Sequence, residues 1–341
     1  MSRKPRLSKT DRRPHRVAMV GFDDAQILDI TGPLEVFSRT SRWLVDQGLR
    51  HAPCYEIRLL GERRGSIRTS GGIRLEVNGG YSEAGRIDTL LVAGGIGADR
   101  VMTNEGLLAW LRAQSKKVDR LGSICTGALI LATAGLLKDR PATTHWAYCD
   151  RLGRMAPETA VNADAIYVKS GRVYTSAGVT TGMDMALAMV EEDHGRAVAL
   201  AVAQELVMFL KRPGGQSQFS RHLQAQHTRD QRLGELELWV LDNLNRELSV
   251  DELATRVSMS ARHFARRFAA EVGTTPAEYV ARARVDAARR LLEETRLTLK
   301  EVATRCGFSE EQNLRRAFLK RLRVTPTDYR GKWGRIYFPT G

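Results

Sequence analysis

Residues 248–260 (LSVDELATRVSMS) return 49 positions later as residues 297–309 (LTLKEVATRCGFS), with the triplet ATR in register. A chain that repeats a stretch of this length has to fold it twice as the same supersecondary unit. Each copy opens on a capping box, Ser249 with Glu252 and Thr298 with Glu301, so each starts a short helix. A tight turn follows (Ser258-Met259, Gly307-Phe308), then a new N-cap, Ser260 or Ser309, and a second helix. Helix, short turn, helix, written twice, is the helix-turn-helix pattern.

The second helix of each unit has one apolar stripe. Phe264 and Phe268 form it in the first unit, Leu314 and Phe318 in the second. Residues two positions before each stripe residue lie about 200° away around the helix. Arg262 and Arg266 therefore point outward in the first unit, and Gln312 and Arg316 in the second. His263, Arg267, Asn313 and Arg315 flank these faces, within reach of bases or phosphates. Beyond the cap the repeat runs at an offset of 50, as Pro276 and Pro326 show, which implies one extra residue at the start of the later helix. Between the units, Thr275-Pro276 reads as a cap followed by proline at the first helical position, with no breaker before Glu294. A helix of about 19 residues is roughly 28 Å long, close to the ~34 Å between successive major-groove faces of B-DNA.

Charge points to the same half. The net charge of +14 is uneven, because residues 16–220 carry 24 basic and 22 acidic side chains whereas residues 221–341 carry 23 and 16. Only the second half has the basic excess of a polyanion-binding domain, with double-stranded DNA as the expected partner. Residues 1–15 form a basic arm read as disordered. Residues 211–220 (KRPGGQSQFS) end the first domain, which gives a domain at 16–212, a linker at 213–230 and a DNA-binding domain at 231–335.

In the first half, residues 17–20 and 89–93 read as short buried strands, each followed by a glycine-containing loop and a helical stretch. That alternation predicts an α/β domain with a parallel sheet flanked by helices. The GGIG of residues 94–97 falls at a strand end, where such sheets place ligand loops. Residues 122–137 (GSICTGALILATAGLL) lay out a strand, a sharp turn at Cys125 and an apolar helix, the plan of a nucleophile elbow. The helix N-terminus predicts a lowered thiol pKa there. The four cysteines (Cys54, Cys125, Cys149, Cys306) lack any CxxC pairing, so neither a disulfide frame, a metal site nor a cofactor is expected. Apolar runs of ten to fourteen residues are too short to span a bilayer, and no signal peptide is legible, so a cytoplasmic location is expected.

Residues 232–333, with the GF of 307–308 and the VTPTDYR of 324–330, resemble the DNA-binding domain of the AraC/XylS family. That likeness implies two helix-turn-helix units joined by a long helix, usually activating transcription, with RNA polymerase as a partner. Residues 16–211 resemble the PfpI-like branch of the class I glutamine amidotransferase fold, a flavodoxin-like sheet. The residues that carry this likeness are the first strand, the DITGPLEVF of 29–37, the GGIG loop, the CTGA elbow and the TTHW of 143–146. Together the halves look like GlxA-type regulators, and the first half alone looks like isocyanide hydratase.

The resemblance implies that Asp29 approaches the Cys125 thiol and that amides near Gly95 and Thr126 form an anion site. PfpI-like proteases carry His directly after the nucleophile, and Thr126 stands there instead. Cys-His amide hydrolysis thus lacks its adjacent base, and His145 is the nearest alternative in sequence. The leading expectation is a non-enzymatic, homodimeric regulator that senses a small, nitrogenous, amino-acid- or betaine-like metabolite at Asp29, Gly94, Gly95, Cys125, Thr126 and His145. The alternative is an active hydratase or amidase using Cys125 and Asp29, with an autoregulatory DNA-binding domain.

Overall fold

The computed structural model describes residues 13–210, 215–216 and 230–333. Most of the expected basic arm, most of the linker and residues 334–335 lie outside the described residues. The chain divides into two compact units between Pro213 and Gly214.

The first unit runs β1 (His15–Val20), α1 (Ile27–Asp46), β2 (Tyr55–Gly61), β3 (Gly65–Arg68), β4 (Arg74–Val77), β5 (Gly79–Gly80), a 3-10 turn (Tyr81–Glu83), β6 (Thr89–Val92), α2 (Ala98–Val101) and α3 (Glu105–Ser115). It continues with β7 (Arg120–Ile124), α4 (Gly127–Thr133), β8 (Pro141–Ala142), a 3-10 turn (Trp146–Tyr148), α5 (Cys149–Met155), β9 (Ala160–Val161), β10 (Tyr167–Ser170), β11 (Val173–Ser176), α6 (Thr181–His194) and α7 (Arg196–Glu205). Seven strands form the main sheet in the order β10-β11-β7-β6-β1-β2-β5, and every pairing except β10 with β11 is parallel.

Burial explains why the inner strands read as apolar runs rather than alternating ones. Met19, Leu90, Leu91 and Val92 are all fully buried, because helices cover both faces of a parallel sheet. At the N-terminal end of the strands, buried Arg120 makes a two-pronged ion pair with Asp193 (2.7 and 3.1 Å) at the end of α6. Tyr55 Oη donates to the same carboxylate at 2.6 Å, which fastens α6 to β7 and β2. Among the described residues no helix is long and apolar enough to cross a membrane.

The second unit is all-helical: α8 (Gln231–Asp242), α9 (Val250–Arg256), α10 (Ala261–Val272), α11 (Pro276–Glu294), α12 (Leu299–Arg305), α13 (Glu311–Leu322) and α14 (Pro326–Trp333). The connecting helix α11 has the 19 residues expected, with the Thr275 side chain accepting from the Glu278 amide and proline in the first turn. Phe264, Phe268, Leu314 and Phe318 are buried to 1% exposure or less. Burying one such side chain is worth about 1.5–3 kcal/mol, so the two stripes fix which face of α10 and α13 turns outward.

Two local readings need correction. The capping box of α12 is complete, with Thr298 and Glu301 exchanging bonds of 2.7 and 3.2 Å. In α9, Ser249 accepts from the Glu252 amide, but the Glu252 carboxylate lies toward Arg256, 3.9 Å away. Ser309 is not the cap of α13. The position before that helix belongs to Glu310, and Ser309 Oγ instead accepts from Asn313 Nδ2 at 2.7 Å. The extra residue of the second unit therefore lies in the turn, ahead of the helix.

Candidate nucleic-acid interface and buried thiol site

Ser260 caps α10 by accepting from the His263 amide at 3.4 Å. Arg262, His263, Arg266 and Arg267 are all exposed on that helix. On α13 Gln312 and Arg316 are exposed, and Asn313 and Arg315 half-buried. The flanking cations are already engaged. Arg267 pairs with Asp230 (3.0 Å), the N-cap of α8, and Arg315 pairs with Glu311 one turn away (2.7 Å). Arg266 lies 3.3 Å from His263 Nδ1. Among the described residues, Arg262, Gln312 and Arg316 have no hydrogen-bond or ion-pair partner. Unpartnered outward guanidinium and amide groups on short helices are the equipment for reading base edges in a major groove.

The two units are braced against α11, the first where the Phe268 ring of α10 meets Tyr279 edge-on, with centroids 5.5 Å apart. Arg321 at the end of α13 forms a two-pronged pair with Glu278 at the start of α11 (2.6 and 2.9 Å). Arg284, midway along α11, donates to the carbonyls of Leu244 (3.1 Å) and Arg246 (2.7 Å) beyond α8. Gly307 packs at the same point.

In the α/β unit, Cys125 sits between β7 and α4 with φ 55°, the strained turn of an elbow. Asp29, from the first turn of α1, is fully buried and close enough to the thiol for its charge to act on it. Its Oδ2 accepts from the Gly94 amide (3.1 Å) and its Oδ1 from the Val179 amide (2.8 Å). Burial raises the Asp29 carboxyl to about 6, against the pull of those two amides and the thiol. The expected lowering of the thiol pKa is reversed, since Cys125 is pushed up to about 12. Burial is the largest cause and the neighbouring Asp29 charge the next. The Thr126 amide and hydroxyl oppose the rise without overcoming it.

The expected anion site is also altered. The Gly95 amide donates to Thr126 Oγ1 at 2.8 Å, and that hydroxyl donates back to the Gly95 carbonyl at 3.0 Å, so the Gly95 amide is already spoken for. His145 Nδ1 accepts from the Ala147 amide (3.3 Å) and so caps a turn. Burial lowers its pKa. The link from this segment to the elbow is its neighbour Thr144, whose hydroxyl donates to the Cys125 carbonyl at 2.7 Å. His145 stacks near Trp146 and Tyr148, with ring centroids 5.3 and 6.0 Å away, and Trp146 is 61% exposed.

Sequence reasoning missed the loop after β11. Gly178 has φ 105°, and a Cβ there would lie 2.3 Å from that of Cys125. Val179 adopts φ 51°, a costly conformation for a β-branched residue, and so turns its amide onto Asp29. The small, polar GVTTG run of residues 178–182 after an apolar strand was the available signal.

Fold and sites together define an HTH-type transcriptional regulator with a PfpI-like α/β domain. The DJ-1/PfpI family matches residues 15–192, and a helix-turn-helix domain matches residues 253–332. The chain is 30% identical to the HTH-type transcriptional regulator CdhR of Pseudomonas aeruginosa, over 91% of this chain and 89% of that one. It is 29% identical to the HTH-type transcriptional regulator GlxA of Rhizobium meliloti, over 83% and 87%. Isonitrile hydratase of Pseudomonas putida is 30% identical, but over 56% of this chain and 77% of that enzyme. The chain belongs to the DJ-1/PfpI family, in the group whose α/β domain carries an AraC-type helix-turn-helix domain.

Proposed function

We propose that this protein is a sequence-specific transcriptional activator whose α/β domain senses a small metabolite. The carrying observation is the outward set Arg262, Gln312 and Arg316, unpartnered among the described residues and set on two helices braced to one 19-residue connector. Arg262, Arg266 and Arg316 suit guanine, and Gln312 suits adenine. One chain would then read an asymmetric site of about two helical turns. Activation, contact with RNA polymerase and assembly as a homodimer follow from the resemblance to AraC/XylS and GlxA-type regulators.

The effector is a small nitrogenous compound, amino-acid- or betaine-like, held beside Asp29, Gly94, Cys125 and Thr126. His145, with exposed Trp146 next to it, offers a cation an aromatic face. Sensing requires that the ligand prefer one conformational state of the chain over another. Selection of binding sites from a random duplex library, followed by anisotropy titration, tests the reading. A specific-to-random affinity ratio above about 10³ supports it, and a ratio below about tenfold makes the protein a non-specific architectural binder.

A second reading, an isonitrile hydratase or amidase, is favoured by one arrangement: the fully buried Asp29 carboxyl beside the Cys125 thiol at the elbow. Steady turnover of an isonitrile, abolished by Cys125→Ala, would establish it. Binding without product leaves the sensor.

A further inference from the structure

A crevice of about 240 Å³ opens in the α/β unit, and Cys125 is not part of its lining. It lies over the C-terminal ends of β1 and β2, between the β3–β4 hairpin and α2–α3. From β1 the chain builds outward to β2 and then returns to place β6 on the other side of β1. That reversal of strand order puts the switch point, where open α/β sheets bind ligands, between β1 and β6, and the crevice lies beside it on the β2 side of β1.

The lining is of two kinds. Phe22, Ile67 and Val101 make an apolar floor, while Glu62, Arg63 and Arg100 bring charge to the rim, together with Asp23, whose carboxylate accepts from the Arg68 amide (2.8 Å), and Arg64, which is paired with Glu83 (3.3 Å). Among the described residues Arg63 has no acidic partner, and Glu62 has no cationic one, only the Asn104 amide at 3.4 Å. Arg100 spends one N–H on the Asp23 carbonyl (2.9 Å) and stands 3.7 Å from Asp24, which leaves donors over. Two opposite charges, neither neutralised by the protein, above a small apolar floor suit one small molecule carrying both complementary charges.

The crevice and the thiol site both draw on the segments that follow β1 and β6. The loops after β1 and β6 are joined by Gln26 N–H to the Gly94 carbonyl (2.8 Å) and Gly97 N–H to the Asp24 carbonyl (3.2 Å). One side of this double loop supplies Asp23 and Arg100 to the crevice. From the other side, the Gly94 and Gly95 amides reach Asp29 and Thr126.

We propose that the crevice is a second small-molecule site that takes a free aliphatic α-amino acid. Its carboxylate meets Arg63 and Arg100, its ammonium meets Glu62, and its side chain lies on Phe22, Ile67 and Val101. The assignment is independent of the DNA-binding reading and of any effector at Cys125.

Calorimetric titration of the full chain with L-leucine, L-valine and L-methionine tests it, with isovalerate and isopentylamine as analogues lacking one charge each. Saturable binding of at least one amino acid is expected, retained in Cys125→Ala. The same binding should weaken at least about tenfold in Arg63→Ala and in Glu62→Gln, since a charged hydrogen bond is worth about a factor of ten or more. Each analogue should weaken similarly. Both substituted side chains are exposed, so the ligand-free melting temperature should stay put and separate lost binding from lost fold. Absence of binding by all three amino acids overturns the proposal. So does binding that vanishes in Cys125→Ala, which places the ligand at the other site, or binding that ignores Arg63→Ala and Glu62→Gln. Isovalerate binding as tightly as the amino acids would make this a plain organic-anion site and would also overturn it.

Discussion

Ser258 and Gly307 occupy the same left-handed position in the two helix-turn-helix turns, at φ 56° and 74°. Only the second is obliged to be glycine. A Cβ on Gly307 would lie 1.9 Å from the Leu244 carbonyl oxygen and under 3 Å from the Arg284 guanidinium, whereas Ser258 is exposed. Gly307→Ala should therefore destabilise the helical unit by about 3 kcal/mol or more, through strain and loss of the Arg284 brace. Ser258→Gly should stabilise it by about 0.5–1 kcal/mol, the relief of a left-handed L-residue less the entropy glycine adds to the unfolded chain. Urea midpoints of the two variants check this, and equal effects of either sign would refute the asymmetry.

The outward faces of α10 and α13 divide into free and engaged groups, and mutants should divide the same way. Arg262→Ala and Arg316→Ala should each cost about 1–3 kcal/mol against the selected site and relax preference at one base position. Arg267→Ala and Arg315→Ala remove cations already paired with Asp230 and Glu311, so their cost should be smaller and similar on random DNA. Anisotropy titrations on specific and random duplexes at fixed salt separate the two classes. A uniform loss for Arg262→Ala would make that residue a phosphate contact.

What was legible in the chain was whatever depends on neighbours in sequence. The length of α11, the Ser260 cap, the two buried stripes and the elbow at Cys125 all follow from residues a few positions apart. Three strands of the main sheet announced themselves, β1, β6 and the end of β7 before Cys125, because their apolar runs are buried on both faces. Strand β2, interrupted by half-buried Glu56 and Arg58, and the two-residue β5 did not. The thiol was misjudged for a related reason. A short helix N-terminus is visible locally, but the opposing Asp29 arrives from 96 positions upstream, and burial is a property of the whole domain. The Gly95 amide was likewise expected free because its Thr126 partner lies 31 positions along the chain.

With its pKa near 12, Cys125 holds almost no thiolate at neutral pH. Iodoacetamide should alkylate it more than about a hundredfold more slowly than an unperturbed cysteine. Asp29→Asn removes the neighbouring charge and should raise the rate and shift its pH profile downward. A rate in the native wild type matching that of free cysteine would show an exposed or activated thiol and refute the geometry. Mass spectrometry of the labelled chain assigns the site among the four free, buried cysteines.

Stability should respond to pH through two opposing sets of groups. Asp29 is raised from 3.8 to about 6, so the folded state binds the proton more tightly than the unfolded one. The contribution of Asp29 is fully present below pH 3.8 and is lost as pH rises through about 6, a difference of up to about 3 kcal/mol. His15, His145 and His194 are all lowered, chiefly by burial, and His15 also by Arg120, whose Nη2 lies 3.1 Å from its Nε2. Their contribution has the opposite sign: it is present above about pH 6.5 and is lost as pH falls, because the unfolded chain takes up protons first. Subtracting wild-type stability from that of Asp29→Asn cancels the histidines. Whatever the fixed cost of replacing a carboxylate that accepts from the Gly94 and Val179 amides, the difference should move in favour of the variant between pH 4 and pH 7. Urea denaturation at half-unit pH steps measures that slope, and a flat difference would mean that Asp29 titrates in the folded protein as it does in the unfolded chain.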